Sequence, residues 1–236
     1  MRKKLVFDIE TDGLLYELTK IHCICAKNLS KGTFYKFSPG EIEQALDLLK
    51  GSDYLIGHNI AGFDLLALQK IYPSFNIDNS RVRDTLCMSR LFNPDRPDHS
   101  LEGYGISYNR PKVVHEDWTT FSPEMLHRCS EDVEINCLIY KDLVERYCRD
   151  WNWIEPLLLE QEYSRFVALQ EIEGVDFDVE GAYKLLGLLD KEIAELDKIL
   201  LERIPARVIP VGNPEGVKPF KKDGTYSEIC RKWFMD

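Results

Sequence analysis

Asp8 and Glu10 stand two residues apart inside the apolar run LVFDIET, Leu5 to Thr11. Leu5, Val6, Phe7 and Ile9 read as a strand buried on both faces. Side chains alternate along a strand, so the two carboxylates point the same way. At a separation of about 5 Å they repel by roughly 3 kcal/mol at an effective dielectric of about 20. Nothing beside them in sequence offsets that repulsion. The pair needs either a bound cation or a strand end washed by solvent.

Two later acids are candidates for the same site. In GHNIAGFD a strand ends at Gly57-His58-Asn59 and a helix begins near Ala61, which puts Asp64 in its first turns. Such strand-to-helix junctions are where α/β sheets build their sites. Asp132 lies on the helical run CSEDVEINCLIY and shares a face with Ile135, Ile139 and Leu143. Taken alone, an acid on an apolar stripe is more often an ion-paired or edge residue. Four acids on separate elements, two of them on one strand, fit a two-metal site. There, two divalent ions about 3.5–4 Å apart clamp a phosphodiester, one readying a water and the other steadying the leaving oxygen. Carboxylate oxygens suit Mg2+ or Mn2+.

The elements that must position these acids follow from pattern. The chain has 236 residues, 44% apolar and 30% charged, enough for one large domain or a domain with an appendage. Strands are expected at Leu5–Thr11, Ile21–Lys27 and Thr33–Phe37 as a meander. A helix opens at Ser38-Pro39 and stops at Gly51. A fourth strand covers Tyr54–Gly57, a helix Ala61–Ile71, and a fifth strand Arg83–Leu86 before a helix into Leu91. Residues 93–108 read as a loop. Ser122-Pro123-Glu124 starts a helix that runs to about Tyr147. The order βββαβαβα gives an α/β domain over residues 1–150, a mixed sheet flanked by helices. Residues 151–236 read as a helical C-terminal extension: one helix from Pro156 to Gly174, a long amphipathic one from Gly181 to Leu201, then an extended, loosely packed tail from Pro205.

Charge and cysteines narrow the class. Forty acids against thirty bases, a net charge of −10, argue against coating long duplex DNA through a basic face. They do not exclude an enzyme that grips a few nucleotides through metal ions. The seven cysteines lack paired CxxC spacing and are expected as reduced, mostly buried thiols of a cytoplasmic protein. No stretch approaches the length of a membrane span, and no signal peptide opens the chain.

D-x-E on the first strand, GHN-xxx-FD at a strand-to-helix junction and an acid on a late helix resemble the three motifs of DEDD-type 3′→5′ exonucleases, which have a ribonuclease H-like fold. DTLCMSRLF (Asp84–Phe92), HSLEGYG (His99–Gly105) and EMLHRCSEDVEIN (Glu124–Asn136) resemble the proofreading domain of phage family-A DNA polymerases. FVALQEIEGVDFDVEGAYKLL resembles the stretch that enters their polymerase module. The likeness covers residues 1 to about 205. It implies that Asp8 bridges two metals, Glu10 and Asp132 hold the water-activating one, and Asp64 holds the second. It makes Leu14 a wedge against terminal bases, and Asn59 and Phe63 contacts to the substrate strand; Thr11 and Arg128 complete the candidate binding set. Asp84 is expected as a helix cap or a support behind the ligands, and His58 as a structural residue or a substrate contact.

The pattern departs from the family at one place. Four residues before the last acid, where the family has a tyrosine that orients the water, stands Arg128, which stays protonated and cannot act as a base. His127, five residues before Asp132, matches the spacing of the superfamily branch that uses histidine as general base. On an unbroken helix residues five apart differ by about 140°, so His127 reaches the site only if the helix breaks, with Ser130 capping a new one. The expected function is 3′→5′ hydrolysis of single-stranded DNA ends, for a polymerase module or subunit that docks on the apolar faces beyond Pro156. RNA trimming and a non-catalytic, polymerase-binding role are the alternatives. No second acidic site follows Gly181, so no DNA synthesis is expected. A truncated polymerase and a separately encoded exonuclease both fit.

Overall fold

The protein is described by a computed structural model over residues 2–149, 152–204 and 220–228. Two compact units divide it, Met1–Val175 and Asp176–Asp236. In the first unit β1 (Lys4–Thr11), β2 (Ile21–Asn28) and β3 (Phe34–Phe37) form the expected antiparallel meander. β4 (Tyr54–Gly57) and β5 (Val82–Asp84) add in parallel on the other side of β1, giving the order β3-β2-β1-β4-β5. The helices of this unit are α1 (Ile42–Lys50), α2 (Asp64–Ile71), α3 (Thr85–Phe92), α4 (Leu101–Ser107), α5 (Pro123–Tyr147) and α6 (Ile154–Glu173). The sheet and its flanking helices have the mixed, ribonuclease H-like layout expected from the sequence.

The central place of β1 explains its apolar run. Odd-numbered Leu5, Phe7 and Ile9 join a core with Ala45, Leu46 and Leu49 of α1 and Leu66 and Leu68 of α2. Even-numbered Val6 packs with Cys23, Cys25 and Ile56 against Met125, Cys129 and Val133 of α5. Asp8 and Glu10 share the parity of Val6, so they face the helix that carries Asp132. That helix starts as its sequence specifies: Ser122 Oγ accepts the Met125 N–H at 3.1 Å, and Pro123 takes the first turn, where a missing N–H costs nothing.

Residues 93–108 are not all loop. Ser100 Oγ accepts the Gly103 N–H at 3.0 Å and starts α4, whose two glycines and short length hide any helical period. Gly105 is needed there, since a Cβ would lie 2.6 Å from the Arg110 carbonyl oxygen. α6 packs with the first unit, against α3, although a boundary at 150/151 would assign it to the extension. The second unit holds α7 (Val179–Arg203), amphipathic as expected, with Leu185, Leu189, Ile193 and Leu196 exposed. Most of the expected extended tail, residues 205–219, lies outside the described residues. The six described cysteines are free thiols, four of them buried. No helix among the described residues is long and apolar enough to cross a membrane.

Candidate active site

Glu10, Asp64 and Asp132 are 8%, 4% and 2% exposed, and Asp8 is partly open. The four carboxyls lie close enough to repel one another. Burial, then the charges of Asp132, Asp64 and Glu10, push the Asp8 carboxyl well above its ordinary range. Burial lifts Glu10 to about 7, with Arg128 pulling down and Asp132 pushing up. Burial and the charge of Asp84 lift Asp64 to about 8. Asp132 is also raised by burial, an effect that Lys112 opposes.

Asp64 is delivered by a tightly specified turn. Gly57 ends β4 where a Cβ would lie 2.0 Å from Ile60 Cγ2 and 3.0 Å from the Phe7 carbonyl oxygen, so only glycine fits. Asn59 takes the left-handed conformation, φ 62°. Asp84, fully buried, holds the turn: its carboxylate accepts the Asn59 N–H at 3.0 Å and the Ala61 N–H at 2.9 Å. The same carboxylate caps α3 through the Leu86 and Cys87 N–H groups at 2.9 and 3.3 Å, so Asp84 is a cap and a support, not one of the converging acids. Its own N–H donates to Gln161 Oε1 of α6 at 2.9 Å, and Gln161 Nε2 donates to Asn79 at 3.1 Å. His58 is occupied structurally, with Nδ1 3.0 Å from Thr85 Oγ1.

Two basic side chains stand among the acids. Lys112 Nζ lies 2.9 Å from Asp132 Oδ2. Arg128 Nε lies 3.3 Å from Glu10 Oε1, and its Nη2 is 3.9 Å from Asp132 Oδ2. The Glu10 contact is a charge pair misaligned for hydrogen bonding. Glu10 Oε1, Asp132 Oδ1 and Arg128 Nε are buried without a hydrogen-bond partner among the described residues. The Arg128 guanidinium is anchored instead by donating from Nη1 to the Val113 carbonyl at 2.6 Å, and it lies 5.0 Å from the centre of the Trp118 ring.

His127 does not reach the acids. α5 is unbroken, and Ser130 Oγ donates to the His127 carbonyl at 2.7 Å within the helix instead of capping a new one. His127 is exposed, on a face about 140° from that of Asp132. Cys129 comes close: ligand atoms of Asp8, Glu10 and Cys129 lie within 4.8 Å of one another. Its thiol donates to the Asp8 carbonyl at 3.3 Å, and burial raises its pKa far above the ordinary thiol range, so it stays protonated. Hard cations prefer the carboxylate oxygens.

Beside Glu10 an open cavity of about 430 Å³ is lined by Thr11, Leu14, Phe63 and Trp118. Leu14 is 59% exposed on its rim, and Thr11 donates from Oγ1 to the Gly13 carbonyl at 2.8 Å. Thr11, Leu14 and Phe63 therefore gather at one place; Asn59 serves the turn through its backbone. Lys112 and Trp118 escaped the sequence reading because their loop, between α4 and α5, has no period. The one available signal was a lysine and a tryptophan just ahead of the acid-bearing helix.

No family model matches the chain. The DNA-directed DNA polymerase of Enterobacteria phage T3 is 24% identical over 275 aligned positions, and that of Escherichia phage T7 is 22% identical. Each alignment covers 89% of this chain and 38% of the polymerase, so the chain spans well under half the length of these relatives. Among solved structures, NrnC of Brucella melitensis with bound Mg2+ superposes with a TM-score of 0.56 at 20% identity, over 75% of this chain and 90% of NrnC. The likeness shows a shared fold, the ribonuclease H-like layout expected from the sequence. The four acids named from the sequence gather at one end of the sheet: Asp8 and Glu10 on β1, Asp64 on α2 and Asp132 on α5, with Asp84 at the end of β5 and Gln161 of α6 as supports. The arrangement is suited to divalent cations: an all-carboxylate donor set with two buried oxygens lacking partners.

Proposed function

We propose that this domain is a two-metal 3′→5′ exonuclease that hydrolyses single-stranded DNA ends to nucleoside monophosphates. The observation that carries the reading is the convergence of Asp8, Glu10, Asp64 and Asp132 into one mutually repelling cluster, three of them under a tenth exposed. Asp8, Glu10, Asp64 and Asp132 would hold two Mg2+ or Mn2+ ions, which when bound activate water and stabilise developing phosphate charge. Leu14, Phe63 and Trp118 wall the adjacent cavity and stack the terminal bases, a sequence-tolerant grip suited to single strands. Arg128 and Lys112 keep Glu10 and Asp132 neutralised in the free protein and turn toward the scissile phosphate when substrate arrives. His127 has no part in proton transfer.

The relationship to phage polymerases supports a proofreading setting, with a polymerase module as partner, inside the host cytoplasm. The exposed apolar stripe of α7 is its docking face. The test is a 3′-labelled and a 5′-labelled single-stranded oligonucleotide, with Mn2+ and with chelator, beside Asp8→Ala. Stepwise shortening from the 3′ end that needs the metal, and that Asp8→Ala lowers at least about 100-fold, is expected. Equal cleavage by Asp8→Ala would remove the reading, and faster cleavage of a matched RNA would reassign the substrate.

A further inference from the structure

A second cavity, about 360 Å³, opens on the same side of the sheet as α5 but at the other end of β1. Lys4 and Asp8 lie on one face of β1 about 13 Å apart, and Tyr140 follows Asp132 on α5 by about 12 Å, so this cavity is separate from the acidic cluster. Arg2, Lys4 and Arg83 line it, and no carboxylate does among the described residues. In a chain with ten more acids than bases, that is an unexpected concentration of positive charge. None of the three cations forms an ion pair among the described residues; each is held by an aromatic ring instead. The Arg83 and Arg2 guanidiniums lie 4.6 and 5.5 Å from the centre of the Tyr54 ring, and Arg2 also donates to the Tyr54 hydroxyl. Lys4 Nζ lies 5.9 Å from the centre of the Tyr140 ring. Arg83 is fixed further by donating from Nη1 to the carbonyls of Ser80 and Val82, and its guanidinium also hydrogen-bonds the Tyr54 side chain.

Guanidiniums that are held in place but have no carboxylate partner are prepared for phosphate, because the fork need not be ordered on binding. The apolar part of the lining includes Phe92, Trp153 and Leu157. The volume falls in the range of small-molecule sites. A ligand that matches both parts of the lining has an anionic end and a flat, weakly polar body. We propose that this cavity binds a nucleoside phosphate, with its phosphates on Arg2, Lys4 and Arg83 and its base against Phe92, Trp153 and Leu157. Three cations favour a triphosphate over a monophosphate. The site uses no residue of the acidic cluster and stands whether or not that cluster cleaves DNA.

The test is calorimetric titration of dATP, dAMP and inorganic phosphate into the full chain carrying Asp8→Ala, in chelator, so that the acidic cluster contributes no metal-dependent binding. Saturable dATP binding with a Kd below about 1 mM is expected, weaker for dAMP and at least tenfold weaker for inorganic phosphate. Arg83→Gln is expected to weaken dATP at least tenfold. Because that change also removes the two carbonyl anchors, the double variant Arg2→Gln/Lys4→Gln, which leaves β5 untouched, must show a loss of similar size with an unchanged circular dichroism spectrum. Absence of saturable binding, or binding that both variants leave intact, overturns the proposal. Inorganic phosphate matching dATP would make this a bare anion site. A single-stranded oligonucleotide that binds through the same cations while dATP does not would make it a strand track.

Discussion

Replacing Asp64 by asparagine is expected to flatten the pH dependence of stability of the metal-free protein. The Asp64 carboxyl sits near 8 in the fold against 3.8 in the open chain, because burial and Asp84 disfavour its charge. The folded protein therefore binds this proton more tightly than the unfolded chain does. Its contribution to stability is full below about pH 4 and is lost as pH rises toward 8, at about 1.4 kcal/mol per pH unit. Between pH 5 and 7 the loss from this one group is about 3 kcal/mol. Glu10, held near 7, acts in the same direction and steepens the wild-type curve. Asparagine keeps the shape and one acceptor oxygen for the amides of Asp64 and Ile9 that the carboxylate engages, but it has no charge to bury. Urea denaturation in chelator at pH 5, 6 and 7 measures both slopes. Saturating Mn2+ is expected to reverse the wild-type trend, since the ion binds the deprotonated carboxylates. Parallel pH curves for wild type and Asp64→Asn in chelator would refute the account of a self-repelling, buried acid cluster.

Other perturbations probe the supports. Asp84→Ala strands four backbone N–H groups and is expected to cost at least about 3 kcal/mol in urea denaturation, with activity lost because the turn carrying Asp64 is released. Arg128→Ala removes the cation beside Glu10, so Mn2+ is expected to bind at least about threefold more tightly by calorimetry while KM for single-stranded DNA rises. Trp118→Ala opens the wall of the cavity beside Glu10 and is expected to raise KM about tenfold or more, the value of one base stack, with kcat less affected. His127→Ala is expected to lower single-turnover cleavage less than about tenfold at any pH, which a larger loss would contradict.

The sequence disclosed what depends on local period. β1 was legible because alternation sends Leu5, Phe7 and Ile9 one way and Val6, Asp8 and Glu10 the other, and the structure keeps that parity. The burial of Asp132 was legible because Ile135, Ile139 and Leu143 define the face it shares, but that face alone does not mark it as a site residue; its place as the fourth acid and the family resemblance do. Asp84 as a cap followed from its place at a strand-to-helix junction. Three things had no local signature. α4 is seven residues with two glycines. The Lys112–Asp132 pair joins a structureless loop to a helix, and long-range pairing leaves no trace in spacing. His127 reaches the acids only through a break in α5, and nothing between His127 and Asp132 supplies a proline or a glycine to cause one.

Gln161 gives the end of the first unit a mechanical role. One side chain of α6 grips the Asp84 amide and Asn79 together, and Asp84 in turn fixes the bend that presents Asp64. A cut in the chain before α6 would therefore not trim an appendage; it would unpin the far side of the acidic cluster. Any tug on α6 by whatever follows it along the chain is felt, two hydrogen bonds later, at an acid proposed to hold metal.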